Sequence, residues 1–143
     1  MSTLHISPAL RDEVIAHCRS TYPKEACGIL AGLKAAPEPR VVQVYPMTNV
    51  EDSPVGYSLD PREQLKLGKL LRERGQTTLA IFHSHTASPA YPSSVDVRHA
   101  ISPDVSYVLV SLKDQAKPDF RSYRIDGDQV TEEPIKVSDT FGV

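Results

Sequence analysis

An apolar run, Leu79-Ala80-Ile81-Phe82, passes without a break into His83-Ser84-His85. The four apolar residues read as a short buried strand. Side chains alternate across a strand, so positions two apart share a face. Extending the strand through His85 places both imidazoles on one side, close enough to hold one ion. Ser93 and Asp96 follow, three apart. Asp96 can supply a third ligand if the intervening loop folds back. Two histidines and one carboxylate, with the fourth position left to water, is the arrangement of a catalytic zinc site rather than a closed structural one. The stretch from Ile81 to Val97 therefore organises the rest of the chain.

Each of these residues also has a plainer use. Most histidines bind nothing, and His5, His17 and His99 read as surface or helix residues. Ser-x-x-Asp at a helix start is a capping-box pattern, in which the serine accepts from the third helical N–H and the acid reaches back. The two uses are compatible, because Ser93 can cap while Asp96 points at a metal. Glu25 directly precedes Ala26-Cys27-Gly28-Ile29-Leu30-Ala31-Gly32, a buried strand by composition. A glutamate just after a helix is usually solvated, but this one has its backbone near the core. Burial would raise its pKa and a nearby cation would lower it. A carboxylate poised between those effects can act as a general base toward a metal-bound water. Cys18 and Cys27 read as small buried side chains. The absence of Cys-x-x-Cys argues against a zinc-dependent deaminase and a zinc ribbon.

The remaining pattern predicts one domain over residues 1–143. Its fold is α/β of the α+β type, a mixed central sheet flanked by about three helices. Ser7-Pro8 starts a helix with Leu10, Val14, Ile15 and Cys18 on its apolar side, and Pro23 stops it. Arg40 to Pro46 reads as a strand, and Met47 to Leu59 as irregular. Asp60-Pro61 starts a second helix whose apolar side carries Leu65, Leu67, Leu70 and Leu71, with Gly75 at its end. Ser93 opens a third helix running to about Ile101. Val105 to Leu112 is a buried strand. Phe120 to Ile125 and Val130 to Val137 flank the turn Asp126-Gly127-Asp128. A net charge of -2 leaves no basic footprint for nucleic acid. No apolar run reaches the ~20 residues of a membrane span. The N-terminus lacks a signal-peptide pattern, and two cysteines make no disulfide framework. These features point to a reduced, cytoplasmic protein.

Glu25 before a glycine-containing apolar strand, then His83-x-His85, seven residues, Ser93, two residues and Asp96 resemble the JAMM motif of the MPN-domain metalloproteases. Five positions in two separate segments must agree, which makes the match specific. The resemblance implies a zinc ion held by His83, His85 and Asp96, with Glu25 as the base and Ser93 helping to stabilise the oxyanion. A narrower likeness lies in Glu-Ala-Cys-Gly-Ile-Leu-Ala-Gly, His-Ser-His-Thr-Ala, Ala-Tyr-Pro-Ser, Tyr-Val-Leu-Val-Ser and Arg-Ser-Tyr-Arg-Ile. These segments are similar to the bacterial CysO-cysteine peptidases, including Thr86 where many JAMM proteins have proline. That likeness implies a partner: a ubiquitin-like sulfur carrier protein with a Gly-Gly tail, from which cysteine is removed. Two other functions fit the same chain. One is a trimming peptidase for another ubiquitin-like carrier. The other is a non-catalytic MPN scaffold, although such members usually lack one of the five residues.

Overall fold

The computed structural model describes residues 2–100 and 102–139. Strand β1 (Leu4–Ile6) leads into helix α1 (Pro8–Thr21), and strands β2 (Cys27–Leu33) and β3 (Gln43–Met47) follow. Helix α2 (Pro61–Arg74), strand β4 (Gln76–His85), helix α3 (Ser94–His99) and strand β5 (Ser106–Ser111) come next. Strands β6 (Asp119–Asp126), β7 (Gln129–Glu133) and β8 (Ile135–Val137) close the chain. Six strands form one sheet in the order β3-β2-β4-β5-β6-β7. Only β4 and β5 run parallel in it; the other neighbours are antiparallel. The sheet is therefore mixed and the class is α+β, as the pattern predicted.

The helices form where the chain offers caps. Ser7 Oγ accepts the Leu10 N–H at 3.2 Å, with Pro8 in the first turn. Asp60 accepts the Arg62 N–H at 2.9 Å ahead of Pro61. Gly75 ends α2 at φ 64°, the left-handed conformation that glycine adopts without a Cβ clash. Apolar spacing then decides which face each helix buries. Val14 and Cys18 of α1 pack on one face of the sheet against Leu30, Phe82, Val108 and Val110. Leu67 and Leu71 of α2 cover the other face over Ile29, Ala31 and Met47. Val97 of α3 joins a third cluster with Leu109, Tyr107 and Tyr123.

The structure corrects several local expectations. Leu65 does not belong to the apolar side of α2: it is 79% exposed. At ~100° per residue it points away from the stripe that Leu67 and Leu71 define. The second predicted strand starts at Gln43 rather than Arg40, and Met47 belongs to it. The segment from Val130 to Val137 is two strands, interrupted at Pro134, which has no N–H for a ladder. The second of these, β8, pairs in parallel with β1, so His5 sits in a strand rather than on a free surface or helix. The third helix is shorter than predicted, ending at His99; Ile101 lies outside the described residues.

Candidate metal centre

Alternation along β4 decides where the imidazoles go. Phe82 and Ala80 point into the cluster under α1. His83 and His85 therefore point to the opposite face, the one that α2 and α3 cover. There the loop after β4 returns and α3 begins. Three contacts fold it back. Ser111 Oγ donates to the Ser88 carbonyl at 2.6 Å, the Tyr123 hydroxyl donates to the Ala90 carbonyl, and His85 Nδ1 meets the Pro89 carbonyl at 2.9 Å. The loop delivers Ser93 as the N-cap of α3, and the capping box is complete. Ser93 Oγ accepts the Asp96 N–H at 3.1 Å, and Asp96 Oδ2 accepts the Ser93 N–H at 2.8 Å.

Capping does not remove Asp96 from the histidines. Its Oδ2 lies 3.0 Å from His85 Nε2 and 3.2 Å from His83 Nε2, and the two Nε2 atoms are 3.3 Å apart. These three residues are the cluster able to hold a metal ion among the described residues. The size of the triangle tests the fit. Donors about 2.0 Å from a tetrahedral ion are separated by roughly 1.63 times that length, about 3.3 Å. The observed edges of 3.0, 3.2 and 3.3 Å match such a face closely. The donor chemistry agrees. His85 Nδ1 faces the Pro89 carbonyl, which can only accept a hydrogen bond, so with an ion bound the ring would keep its proton on Nδ1 and offer the Nε2 lone pair to the metal.

Electrostatics follow from burial and the short contacts. Burial holds the His83 imidazole below its ordinary value, although Asp96 opposes it. Burial also works against charge on His85, but hydrogen bonds to Asp96 and Pro89 outweigh it and raise that imidazole. Burial alone would raise Asp96; hydrogen bonds from both histidines overcome it and hold the carboxyl well below the usual carboxylate range. The cluster thus carries a fixed negative oxygen beside two imidazoles, a combination that favours a divalent cation.

Glu25 stands at the entry to β2, only 6% exposed. Ser84, between the two histidines, fixes it there. The Ser84 N–H donates to the Ala26 carbonyl at 3.1 Å, and Ser84 Oγ accepts the Ala26 N–H at 2.8 Å. These bonds hold the chain next to Glu25 against the His-Ser-His segment. Burial pushes the Glu25 carboxyl up to about 7; His85 opposes the rise, while Asp96 and Glu51 add to it. The coupling to His85 and Asp96 places this carboxyl in the electrostatic field of the cluster.

Cys27 pairs across the ladder with His83 and is fully buried. Its thiol is pushed up to about 12 by burial, Glu63 and Glu25, and its sulfur is not among the donor atoms that converge with those of His83, His85 and Asp96. Cys18 is likewise buried and free. His17 lies on α1, half-buried, with its ring edge-on to Phe82 at 6.0 Å. It takes no part in the cluster.

Three residues near the centre carried no sequence signal of their own. Ser84 is one. Tyr57 is another: its ring stacks on His83 with centroids 4.3 Å apart and an interplanar angle of 21°. Asn49 is the third. Its Nδ2 donates to the Glu25 carbonyl at 3.1 Å and the Gly56 carbonyl at 2.9 Å. Its Oδ1 accepts from the Glu51 N–H at 3.1 Å and the Ser58 N–H at 3.0 Å. The 48–59 segment is irregular as predicted, but this side chain and the Asn49–Leu59 bridge give it a definite shape.

Residues 7–126 match Prok-JAB, the prokaryotic homologs of the JAB domain. The chain is 44% identical over 138 residues to the CysO-cysteine peptidase of Mycobacterium tuberculosis (strain ATCC 25618 / H37Rv), covering 96% of this chain and 93% of the relative. It is 39% identical over 98 residues to a Thermus thermophilus protein named "Probable TtuB-protein conjugate cleaving protease", covering 68% of this chain and 63% of that one. A solution structure of a protein from Desulfitobacterium hafniense superposes with a TM-score of 0.87 at 40% identity, over 97% of this chain and 95% of that chain.

Proposed function

The chain belongs to the Prok-JAB family, and from that membership and the site geometry we propose that it is a zinc-dependent peptidase. It hydrolyses the amide bond after the C-terminal Gly-Gly of a ubiquitin-like sulfur carrier protein and releases cysteine. The observation that carries this reading is the triangle of His83, His85 and Asp96 donor atoms, 3.0 to 3.3 Å on each edge, with the buried carboxyl of Glu25 in its field. The substrate class is supported by the relatives, one a CysO-cysteine peptidase and one named for cleaving TtuB-protein conjugates.

His83, His85 and Asp96 would hold the ion, which when bound lowers the pKa of a water ligand to about 7 and polarises the scissile carbonyl. Glu25 takes a proton from the water whose oxygen adds to the glycyl carbonyl, and returns it to the amine as the C–N bond breaks. Its position suits both transfers, because burial raises the carboxyl toward neutrality and a cation draws it down again. The Ser93 oxygen accepts the Asp96 N–H, which leaves its own proton free to donate to the developing oxyanion. Such a donor is worth about 3 kcal/mol of barrier. No covalent enzyme intermediate is needed.

An extended Gly-Gly tail has no side chains to clash in a narrow groove. Strand β3 is an edge of the large sheet and runs into the 48–59 segment. The tail lies along this edge, pairing through main-chain hydrogen bonds. Residues 1–143 act as one domain. No helix among the described residues is long and apolar enough to cross a membrane. The two free, buried cysteines suit a reduced, cytoplasmic setting.

A second reading keeps the site and changes the leaving group to an amine of a conjugated protein, as the name of the Thermus relative suggests. Intact-mass spectrometry separates the two. A carrier ending in Gly-Gly-Cys should lose the mass of one cysteine residue on incubation, and a chelator should prevent the loss. An unchanged adduct together with cleavage of a carrier–protein conjugate would favour the second reading.

A further inference from the structure

The two histidines of the cluster are held by different means. His85 is fixed by a hydrogen bond, its Nδ1 to the Pro89 carbonyl at 2.9 Å. His83 has no equivalent. Its Nδ1 is buried and without a hydrogen-bond partner among the described residues, although the side chain is only 2% exposed. A ligating imidazole normally donates its second ring nitrogen to a carbonyl, carboxylate or water, which sets its orientation. Here the nearest thing to that restraint is aromatic. The Tyr57 ring lies nearly parallel to the His83 ring, 4.3 Å centre to centre.

We propose that Tyr57 is the positioning residue for His83: ring stacking does for this ligand what a hydrogen bond does for His85. The inference rests on the reading of His83 as a metal ligand. Stacked rings gain about 0.5–1.5 kcal/mol beyond their buried area. More to the point, a ring clamped on its face cannot tilt its Nε2 away from the triangle. Tyr57 is itself held by the loop architecture. Asn49 closes the 48–59 segment with four side-chain hydrogen bonds, one of them to the Glu25 carbonyl. Thr86 Oγ1, next to His85 in sequence, donates to the Pro54 carbonyl at 3.1 Å. The clamp on His83 and the backbone of the candidate base thus share one anchor.

The test compares Tyr57→Phe, which keeps the ring, with Tyr57→Leu, which removes it. Zinc affinity is measured by competition with a chromogenic chelator, and the visible absorption of the cobalt-loaded proteins reports ligand geometry. Thermal unfolding of the metal-free proteins separates loss of the site from loss of the fold. Removing a residue that orients a ligand typically costs 10- to 100-fold in metal affinity, so Tyr57→Leu should weaken zinc binding by about tenfold or more. Tyr57→Phe should keep wild-type affinity and the wild-type cobalt spectrum. Equal affinity and spectra in wild type and Tyr57→Leu would overturn the proposal, and so would a phenylalanine variant as impaired as the leucine one. If wild type itself binds no stoichiometric metal, the metal-site reading fails instead. Should Tyr57→Leu not fold, Tyr57→Gln, a non-aromatic side chain suited to a partly exposed loop, is read by the same criteria.

Discussion

Asp96 serves Ser93 and His85 with a single oxygen: its Oδ2 accepts the Ser93 backbone N–H at 2.8 Å and stands 3.0 Å from His85 Nε2. Helix capping and the approach of this carboxylate to the imidazoles are therefore one arrangement. The cap fixes the start of α3, and the start of α3 brings the carboxylate to the imidazoles. Ser93 Oγ completes the cap from the other side.

Ser93→Ala separates the two uses of this serine. Loss of the cap costs about 1 kcal/mol of stability. Loss of a hydroxyl aimed at an oxyanion lowers kcat by about 10²- to 10³-fold. We expect both effects, with KM little changed. A lowered Tm with normal kcat would assign Ser93 to capping alone.

Glu25→Gln should bind zinc as wild type does and lose hydrolysis, whereas His83→Ala should lose both. Equal zinc loss in the two variants would make Glu25 a ligand instead of a base. Dialysis followed by elemental analysis reads this directly.

The same carboxyl predicts a pH effect on metal-free protein. Burial raises Glu25 from the ordinary 4.5 to about 7. A raised acid contributes stability that is fully present below its unfolded value and is lost as pH rises through the folded one. Wild type should therefore lose stability relative to Glu25→Gln between about pH 4.5 and 7. Denaturant titrations of both proteins across this range check the sign. A difference that does not change with pH would mean a solvated glutamate, and a wild type that gains on the variant as pH rises would mean an ion-paired one.

Gly28→Ala tests how the sheet supports the centre. A Cβ at Gly28 would lie 2.3 Å from the Phe82 ring and 2.5 Å from the Tyr45 carbonyl oxygen. Phe82 is fully buried and directly precedes His83, and the Tyr45 carbonyl is backbone, so the strands themselves must shift to admit the methyl. Overpacking of this kind costs about 1–3 kcal/mol. Thermal unfolding should show the loss. By contrast, Leu65→Ser, at a position 79% exposed, should change stability by less than about 0.5 kcal/mol.

Much of this was written locally in the chain. Ser7-Pro8 and Asp60-Pro61 announce two helices, and strand alternation alone puts His83 and His85 on one face. Ser93 and Asp96 gave two readings from sequence; the structure closes the capping box and keeps Asp96 Oδ2 beside both imidazoles. What the sequence did not show depends on distant partners. Strand β1 is three residues long and exists because β8 pairs with it more than 120 positions later. Three residues carry no usable period. Tyr57 lies in a segment without regular structure, and nothing in its neighbourhood points to His83. Ser84 looks like a spacer between two histidines, and only the β2–β4 register reveals its bonds to Ala26. Leu65 misled for the opposite reason: leucine four times in one helix suggests a broad apolar side, but α2 lies on the sheet along a narrow stripe.

X-ray absorption at the zinc edge of the loaded protein would read the donors around the ion. If His83, His85 and Asp96 hold the ion, the spectrum will show about one zinc per chain, with nitrogen and oxygen neighbours at about 2.0–2.1 Å, two of them imidazoles, and no sulfur. A sulfur neighbour at about 2.3 Å would place the ion on a cysteine instead. That result, or an unchanged spectrum in His85→Ala, would rule out His83, His85 and Asp96 as the ligand set.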